Sequence, residues 1–131
     1  MSEIKYIPVS EVMNPNVKMI DGLISAVEAM TMMREGKNGS LIVDKRDEQD
    51  EYGLISIGDL SAKVIVPDIA PERVSAYQVM TKPVLSVESD MNIRYAVRLL
   101  TRFKISRALV LKDGKAVGIV ALRDMVLRYH E

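Results

Sequence analysis

Two carboxylates, Asp59 and Asp124, occupy matching places in two similar segments of the chain. The segment from Gly53 to Leu60 reads Gly-Leu-Ile-Ser-Ile-Gly-Asp-Leu, and the segment from Gly118 to Met125 reads Gly-Ile-Val-Ala-Leu-Arg-Asp-Met. Paired carboxylates can serve general acid–base catalysis. The chain has no cysteine, however, and its single histidine is His130. Because the groups that would activate a nucleophile or a water are missing, no catalytic residue and no metal site are predicted.

A second motif repeats as well. Val12-Met13-Asn14-Pro15 returns as Val79-Met80-Thr81-Lys82-Pro83, and both motifs recur at nearly the same interval along the chain. We place the repeats at residues 1–66 and 67–131. Each copy is too small to bury its own apolar faces, so the two are expected to pack together around a cleft with pseudo-two-fold symmetry.

Each repeat is predicted to contain a short strand, a helix, two strands and a second helix. In the second repeat, one apolar stripe with helical spacing is expected to face a sheet: Ile93, Ala96, Val97 and Leu100. The two strands are placed at 108–111 and 116–120, joined by an Asp-Gly turn, and the last helix runs from Leu122 to about Tyr129.

The first repeat follows the same order. Its helix is expected over Ile24 to Arg34, ended by Gly36, and its strands at 40–43 and around 53–55. The charged hairpin loop at 44–51 is expected to be solvated and mobile. Lys63 to Arg73, which carries two prolines, is expected to connect the repeats.

This order of elements, the Val-Met-x-Pro type opening and the closing Gly-h-h-[Ser/Thr]-h-x-Asp motif resemble the cystathionine-beta-synthase (CBS) domain. Two such domains in tandem resemble a Bateman module, and the resemblance extends from Val9 to about Tyr129. It implies an α/β (α+β) fold of two pseudo-symmetric β-α-β-β-α repeats packed sheet to sheet. It also implies a homodimeric regulatory module without catalytic chemistry, which binds an adenosine nucleotide or a related adenosyl ligand in the cleft.

In the family, the motif Asp binds the ribose hydroxyls and the motif Ser or Thr helps to hold phosphate. The resemblance therefore implies that Asp59 and Asp124 bind ribose and that Ser56 binds phosphate. One ionised carboxylate can accept both ribose hydroxyls, and a helix N-terminus suits phosphate. The second repeat has Ala121 in place of the hydroxyl residue.

Arginines are expected to replace that hydroxyl as phosphate ligands, namely Arg107 at the start of its strand and Arg123 within the motif. Val17 and Leu85, placed on the first strands, are expected to line an adenine ring. The expected ligand is AMP, ADP or ATP, with AMP favoured, and no resident cofactor is required.

Other interpretations of the same residues stay open. Ser56 and Asp59 have the spacing of a helix-capping box, and Asp124 suits a helix dipole without any ligand. Arg107 suits a solvated strand edge equally well. The whole pair could also be a ligand-free dimerisation or interaction scaffold.

Composition limits the partners. The formal net charge is zero, so no nucleic acid partner is expected, although a local basic patch stays open. With 48% hydrophobic residues, the chain can bury a sizeable core as one compact domain. No stretch is long enough to span a membrane, and the first five residues lack an apolar leader, so we expect a cytoplasmic protein that signals to an unknown effector protein in trans. A homodimer interface is expected on the second helices, including Leu60, Val64, Met125, Val126 and Leu127.

Overall fold

The computed structural model describes residues 5–37, 39–82 and 84–130. Residues 1–4, on which the expected cytoplasmic location partly rests, and Pro83 of the opening motif lie outside the described residues. The chain folds into two compact units. We call Lys18–Val84 the central unit, and Met1–Val17 together with Leu85–Glu131 the terminal unit.

The central unit contains a three-stranded sheet. Its strands are β1 (Met19–Ile20), β2 (Ser40–Val43) and β3 (Gly53–Ser56), in the order β1-β2-β3. β1 pairs with β2 in parallel and β2 pairs with β3 antiparallel, with Ser40 opposite Ser56 and Val43 opposite Gly53. Helices α1 (Ala26–Gly36) and α2 (Ile57–Leu60) follow β1 and β3. The first repeat thus has the predicted β-α-β-β-α order.

Helix α1 has well-defined ends. Ser25 caps it, since its Oγ accepts the backbone N–H of Glu28 at 3.1 Å. Gly36 was expected to end the helix, and this is wrong by one residue. Gly36 is still helical, and Lys37 adopts the left-handed conformation (φ 54°) while its N–H donates to the Met33 carbonyl.

The terminal unit repeats this arrangement. Its strands are β4 (Ser86–Glu88), β5 (Arg107–Lys112) and β6 (Lys115–Ala121), again with one parallel and one antiparallel pair. Helix α4 spans Ile93–Phe103 and α5 spans Leu122–Tyr129. The predicted stripe on α4 is confirmed in its main members, because Ile93, Ala96 and Leu100 are fully buried in the core.

The Asp-Gly turn between β5 and β6 is confirmed. Asp113 and Gly114 both have positive φ, 52° and 78°. A two-residue hairpin turn whose twist matches that of the flanking strands requires positive φ at both of its central residues.

Each unit takes its opening segment from the other repeat. The 3₁₀ turn Val9–Glu11 belongs to the terminal unit, where the Val9 N–H donates to Met91 at 2.8 Å. Helix α3 (Ala76–Val79) belongs to the central unit, where the Ala76 N–H donates to Ile24 at 2.8 Å. The compact units therefore divide the chain at other places than the sequence repeats do.

The two repeated motifs contact each other within each unit. A Cβ added to Gly53 would lie 2.5 Å from the Met80 Sδ, and one added to Gly118 would lie 2.6 Å from the Met13 Sδ. The methionine of each opening motif is therefore seated on the glycine of a closing motif. This contact explains why the residue types of the two motifs recur together.

The charged loop between β2 and β3 is organised around Asp50, whose side chain is only 8% exposed. Lys82 donates to its carboxylate, as do the backbone N–H and Nε of Arg46, at 2.9 and 3.3 Å. The Lys82 ammonium, followed by Arg46, holds the pKa of Asp50 well below its usual range. The expectation of a solvated loop is therefore wrong at Asp50.

The segment between the repeats is largely helical. A π-helical turn (Ser61–Ile65) continues α2, and a 3₁₀ turn (Pro71–Arg73) precedes α3. Lys63 was expected to begin a connector, but it lies inside the π-helical turn. Its backbone thus belongs to the central unit's folded structure.

Candidate functional site

Ser56 and Asp59 form a capping box at the start of α2. The Ser56 Oγ accepts the Asp59 N–H at 3.1 Å, and Asp59 Oδ2 accepts the N–H and the Oγ–H of Ser56, both at 3.0 Å. The capping interpretation that the sequence left open is therefore confirmed. Asp59 has this structural role whether or not it also binds a ligand.

The second oxygen of Asp59 is occupied as well. Thr81 donates its hydroxyl to Oδ1 at 2.9 Å, and the Lys63 ammonium lies 3.5 Å from the same atom. A carboxylate has about four acceptor positions, and these contacts engage all of them. The Asp59 side chain is 14% exposed, so a ribose at this carboxylate would have to displace Thr81 or Lys63.

Lys63 connects Asp59 to the C-terminal end of α3. Its ammonium donates to the carbonyls of Val79 and Met80 at 2.8 and 3.2 Å, in addition to its ion pair with Asp59. The sequence contains one signal for this contact, because Lys63 follows Asp59 by four residues on a helix. Thr81 is the partner that sequence reasoning missed, and nothing local to Asp59 points to it.

Asp124 has different surroundings, although it occupies the same place in its repeat. It lies exposed in the first turn of α5, where Ala121 supplies no side-chain cap. Among the residues that the structure describes, the Asp124 side chain makes no hydrogen bond and no ion pair. The residue equivalent to Lys63 is Arg128, and it pairs with Glu11 at 3.4 Å instead.

Two arginines belong to the same end of the terminal unit. Arg107 begins β5 and is paired with Ala121 in the strand register, so it lies next to the start of α5. Arg123 is in the first turn of that helix, and both residues are exposed. A free carboxylate, two guanidinium groups and a helix N-terminus are therefore grouped at one end of this sheet.

Val17 and Leu85 precede the first strands and do not lie on them, so their predicted placement is wrong by one or two residues. Both are half-buried. The Leu85 carbonyl accepts the Leu109 N–H at 2.9 Å, and its side chain packs against the terminal unit's core. Both belong to the terminal unit, with Arg107, Arg123 and Asp124, whereas Ser56 and Asp59 belong to the central unit.

In the described part of the chain, no three acidic or histidine side chains are grouped so that they could hold a metal ion. None of the helices in that part combines the length and the apolar character needed to cross a membrane.

Comparison with known proteins identifies the fold family. The sequence model of the CBS domain family matches residues 9–65 and 74–131 of this chain. The chain belongs to the CBS domain family. Its two matched regions make it a CBS pair, a class of module that is in general regulatory. The two three-stranded sheets and their helices agree with solved CBS pairs.

Several known proteins are similar over most of this chain. "Uncharacterized protein MK0525" of Methanopyrus kandleri is 38% identical over 104 residues, which cover 78% of this chain and 52% of that protein. The hexameric CBS-CP12 protein from bloom-forming cyanobacteria is 31% identical with a TM-score of 0.89, over 94% of this chain and 68% of that chain.

A third similar structure was solved with ligands. The CBS domain pair of protein MJ0100, in complex with 5′-methylthioadenosine and S-adenosyl-L-methionine, is 20% identical with a TM-score of 0.79, over 96% of this chain and 98% of that chain. This chain covers about half of the length of the first curated relatives that it matches, 52% and 44%.

Proposed function

We propose that this CBS pair is a sensor that binds an adenosine nucleotide, with AMP favoured, and signals to a partner protein in the cytoplasm without catalysing a reaction. The observation that carries the proposal is the Asp124 carboxylate, which is exposed, has no partner among the described residues and belongs to the same end of the unit as Arg107 and Arg123. A carboxylate suits two ribose hydroxyls, and guanidinium groups suit a phosphate. The adenosyl ligands of the MJ0100 pair support the same ligand class.

The two repeats are proposed to bind with different strength. At Asp124 a ribose would meet a carboxylate that no described residue engages, whereas at Asp59 it competes with the Thr81 hydroxyl and the Lys63 ammonium. Replacing existing bonds returns less free energy than filling free acceptor positions. We therefore propose Asp124 as the primary ribose ligand, with Ser56 and Asp59 forming a weaker second set and Val17 and Leu85 lining the adenine.

Such a second set would also provide a route for the signal. A ribose bound by Asp59 would release Lys63, which holds the carbonyls of Val79 and Met80 at the end of α3. Ligand binding would then change the hydrogen bonding of the segment that joins α3 to β4. A ligand can shift a conformational equilibrium only through such a difference in contacts.

Calorimetry with AMP, ADP, ATP and S-adenosylmethionine tests the proposal. At a concentration of 100 times Kd, a bound ligand adds about 2.7 kcal/mol of stability, which raises the Tm of a domain of this size by several degrees. Asp124→Asn should lose affinity for both AMP and adenosine. Arg107→Gln should lose affinity for AMP and retain adenosine, because only the phosphate contacts the guanidinium.

The matched control is Asp113→Asn, which removes one exposed carboxylate from the same unit at a turn position (φ 52°) that Asn tolerates. It should bind AMP as the unchanged protein does. If none of the four ligands binds at millimolar concentration, the ligand-free scaffold becomes the better account of the chain.

The second candidate is that scaffold, and exposed apolar side chains favour it. Ile65 and Val66 of the central unit are 62% and 79% exposed, and Leu127 of the terminal unit is 58% exposed. Apolar groups at this exposure are typical of surfaces that another chain covers. A homodimer is compatible with either function, so only the ligand titration separates the two candidates.

A further inference from the structure

The central unit has a cavity of about 450 Å³ beyond the carboxyl ends of the parallel strands β1 and β2. It lies at the opposite end of the sheet from Ser56, because Ser40 pairs with Ser56 whereas Val43 pairs with Gly53. The nucleotide residues proposed above do not line it. The carboxyl ends of parallel strands are common ligand sites, and this volume is within the usual range for small molecules.

Charged groups of both signs line the cavity: Asp21, Asp44, Lys45 and Arg46. In the described residues, neither carboxylate forms an ion pair with either cation. Among the described residues, the Asp21 carboxylate accepts only the N–H of Leu23, at 2.8 Å, and the Asp44 carboxylate only the N–H of Lys45, at 2.8 Å. Each carboxylate therefore keeps free acceptor positions beside the cavity.

The aromatic wall of the cavity is held in place. Tyr77 lies directly against Gly22, since a Cβ there would be 2.3 Å from the ring, and the Tyr77 N–H donates to the Gly22 carbonyl at 3.0 Å. The Arg46 guanidinium lies 5.2 Å from the ring centroid, and its Nε donates to Asp50. Contacts of this kind reduce the side-chain ordering that a ligand would otherwise have to impose.

We propose that this cavity binds a zwitterionic α-amino acid with an apolar side chain. The ammonium group binds between the carboxylates of Asp21 and Asp44, and the carboxylate binds the terminal nitrogens of Arg46. Met19 and Leu23, which are 39% and 77% exposed, provide apolar surface for the side chain. The lining has two acids and two bases, so a ligand with both charges can form two attractive contacts, whereas a simple anion or cation can form only one.

The terminal unit has a comparable cavity that lacks these features, and it serves as an internal control. Its volume is about 400 Å³, and its charged lining comprises Glu88, Asp90, Asp113 and Lys112, three acids and one base. It contains no arginine, and its aromatic residue, Tyr6, donates its hydroxyl to the Asp90 carbonyl at 2.6 Å. This cavity should not bind a zwitterion.

The test is calorimetry on the whole chain with L-leucine and two analogues. 4-Methylpentanoate is leucine without its amino group, and 3-methylbutylamine is leucine without its carboxylate. Leucine should bind, and each analogue should bind at least about tenfold more weakly, since each loses one charge-assisted contact. Saturating AMP should leave the leucine affinity unchanged, because the nucleotide residues lie elsewhere.

Variants locate the site. Asp21→Asn keeps the oxygen that accepts the Leu23 N–H, and Arg46→Gln keeps the Lys82 contact to Asp50, so both variants should stay folded in a thermal melt. Each should weaken leucine binding by about tenfold or more, whereas Asp113→Asn in the other cavity should not. The proposal is wrong if leucine gives no heat at millimolar concentration, if 4-methylpentanoate binds as tightly, or if Asp21→Asn binds leucine normally.

Discussion

The same residue type in the same motif has two environments in this protein. Asp59 is 14% exposed and holds four groups, whereas Asp124 is exposed and holds none among the described residues. The capping box could be predicted from the Ser-x-x-Asp spacing alone. The contacts of Thr81 and Lys63 with Asp59 could not, because they depend on where a distant segment of the chain packs.

Alanine substitutions should separate the roles of these two aspartates. Asp59→Ala removes half of a capping box and leaves Lys63 and Thr81 with fewer partners, so it should lower stability by about 1–2 kcal/mol. Asp124→Ala should change stability by less than about 0.5 kcal/mol and reduce AMP affinity by roughly 1.5–3 kcal/mol. Urea unfolding and calorimetry on both variants measure these effects.

The opposite pattern would contradict the assignment. If Asp59→Ala retains its stability and loses AMP binding, Asp59 is the principal ribose ligand. In that case its bonds to Thr81 and Lys63 are exchanged for ligand bonds at little cost, and the order of the two sets proposed above is reversed.

Asp50 should make the stability of the protein depend on pH at the acid side. The folded pKa of its carboxyl is depressed by Lys82 and then Arg46, below the unfolded value near 3.8. Its contribution is therefore fully present above that value and is lost as the pH falls towards the lower folded pKa. As the pH falls below 5, Asp50→Asn should lose less stability than the unchanged protein does.

That comparison needs a control that removes another carboxylate of the same loop. Glu48→Gln in the same loop removes a charge from an exposed side chain for which the structure gives no ion pair. Its thermal stability should follow that of the unchanged protein across the same pH range. An identical acid profile for Asp50→Asn and the unchanged protein would contradict the role of Asp50.

The contact between the two repeated motifs should be sensitive to one added methyl group. In Gly118→Ala the new Cβ would lie 2.6 Å from the Met13 Sδ and 2.9 Å from the Asn14 carbonyl oxygen. The sulfur can move, but the backbone oxygen belongs to a bridge in which Asn14 and Ile119 exchange hydrogen bonds. We expect a loss of about 1–3 kcal/mol in urea unfolding.

Gly58→Ala is the matched control for that substitution. Gly58 lies in α2, and its added Cβ would meet only the Ser56 Oγ, at 3.5 Å. Alanine is favoured over glycine within a helix, so this variant should be unchanged or up to about 1 kcal/mol more stable. If both variants lose the same amount of stability, the contact of Gly118 with Met13 and Asn14 is not the cause of the loss.

The elements themselves were largely predictable from sequence. The strand at 40–43, the helix Leu122–Tyr129 and the Asp-Gly turn follow from local patterns, and each occurs as predicted. The exchange of opening segments was not predictable, because Val9 bonds to Met91 and Ala76 to Ile24 over distances at which periodicity carries no information. The burial of Asp50 has the same origin, since Lys82 is remote in sequence.

At the scale of the whole molecule, the expected interface residues need correction. Leu60, Val64 and Met125 were expected to be exposed on the second helices, but they are 4%, 0% and 0% exposed and belong to the cores of their units. Val126 and Leu127 are exposed as expected, at 47% and 58%. Met125, Val126 and Leu127 are consecutive, so this apolar run does not by itself show which of its members faces the core.

Exposed apolar groups next to the buried ones make assembly testable. Ile57, Ile65 and Val66, on or just after the second helix of the first repeat, are 56%, 62% and 79% exposed. We expect a homodimer that covers them, so Ile65→Lys with Val66→Lys should give a folded monomer in light scattering. Leu23→Lys is the control, because Leu23 is similarly exposed, at 77%, but lies after β1, beside the proposed amino-acid cavity. That variant should remain a dimer, because charge is destabilising only where it has to be buried against a second chain.

If the unchanged protein is a monomer at every concentration, these exposed side chains contact a different partner, and the signal from the nucleotide has to be transmitted through a surface of the single chain.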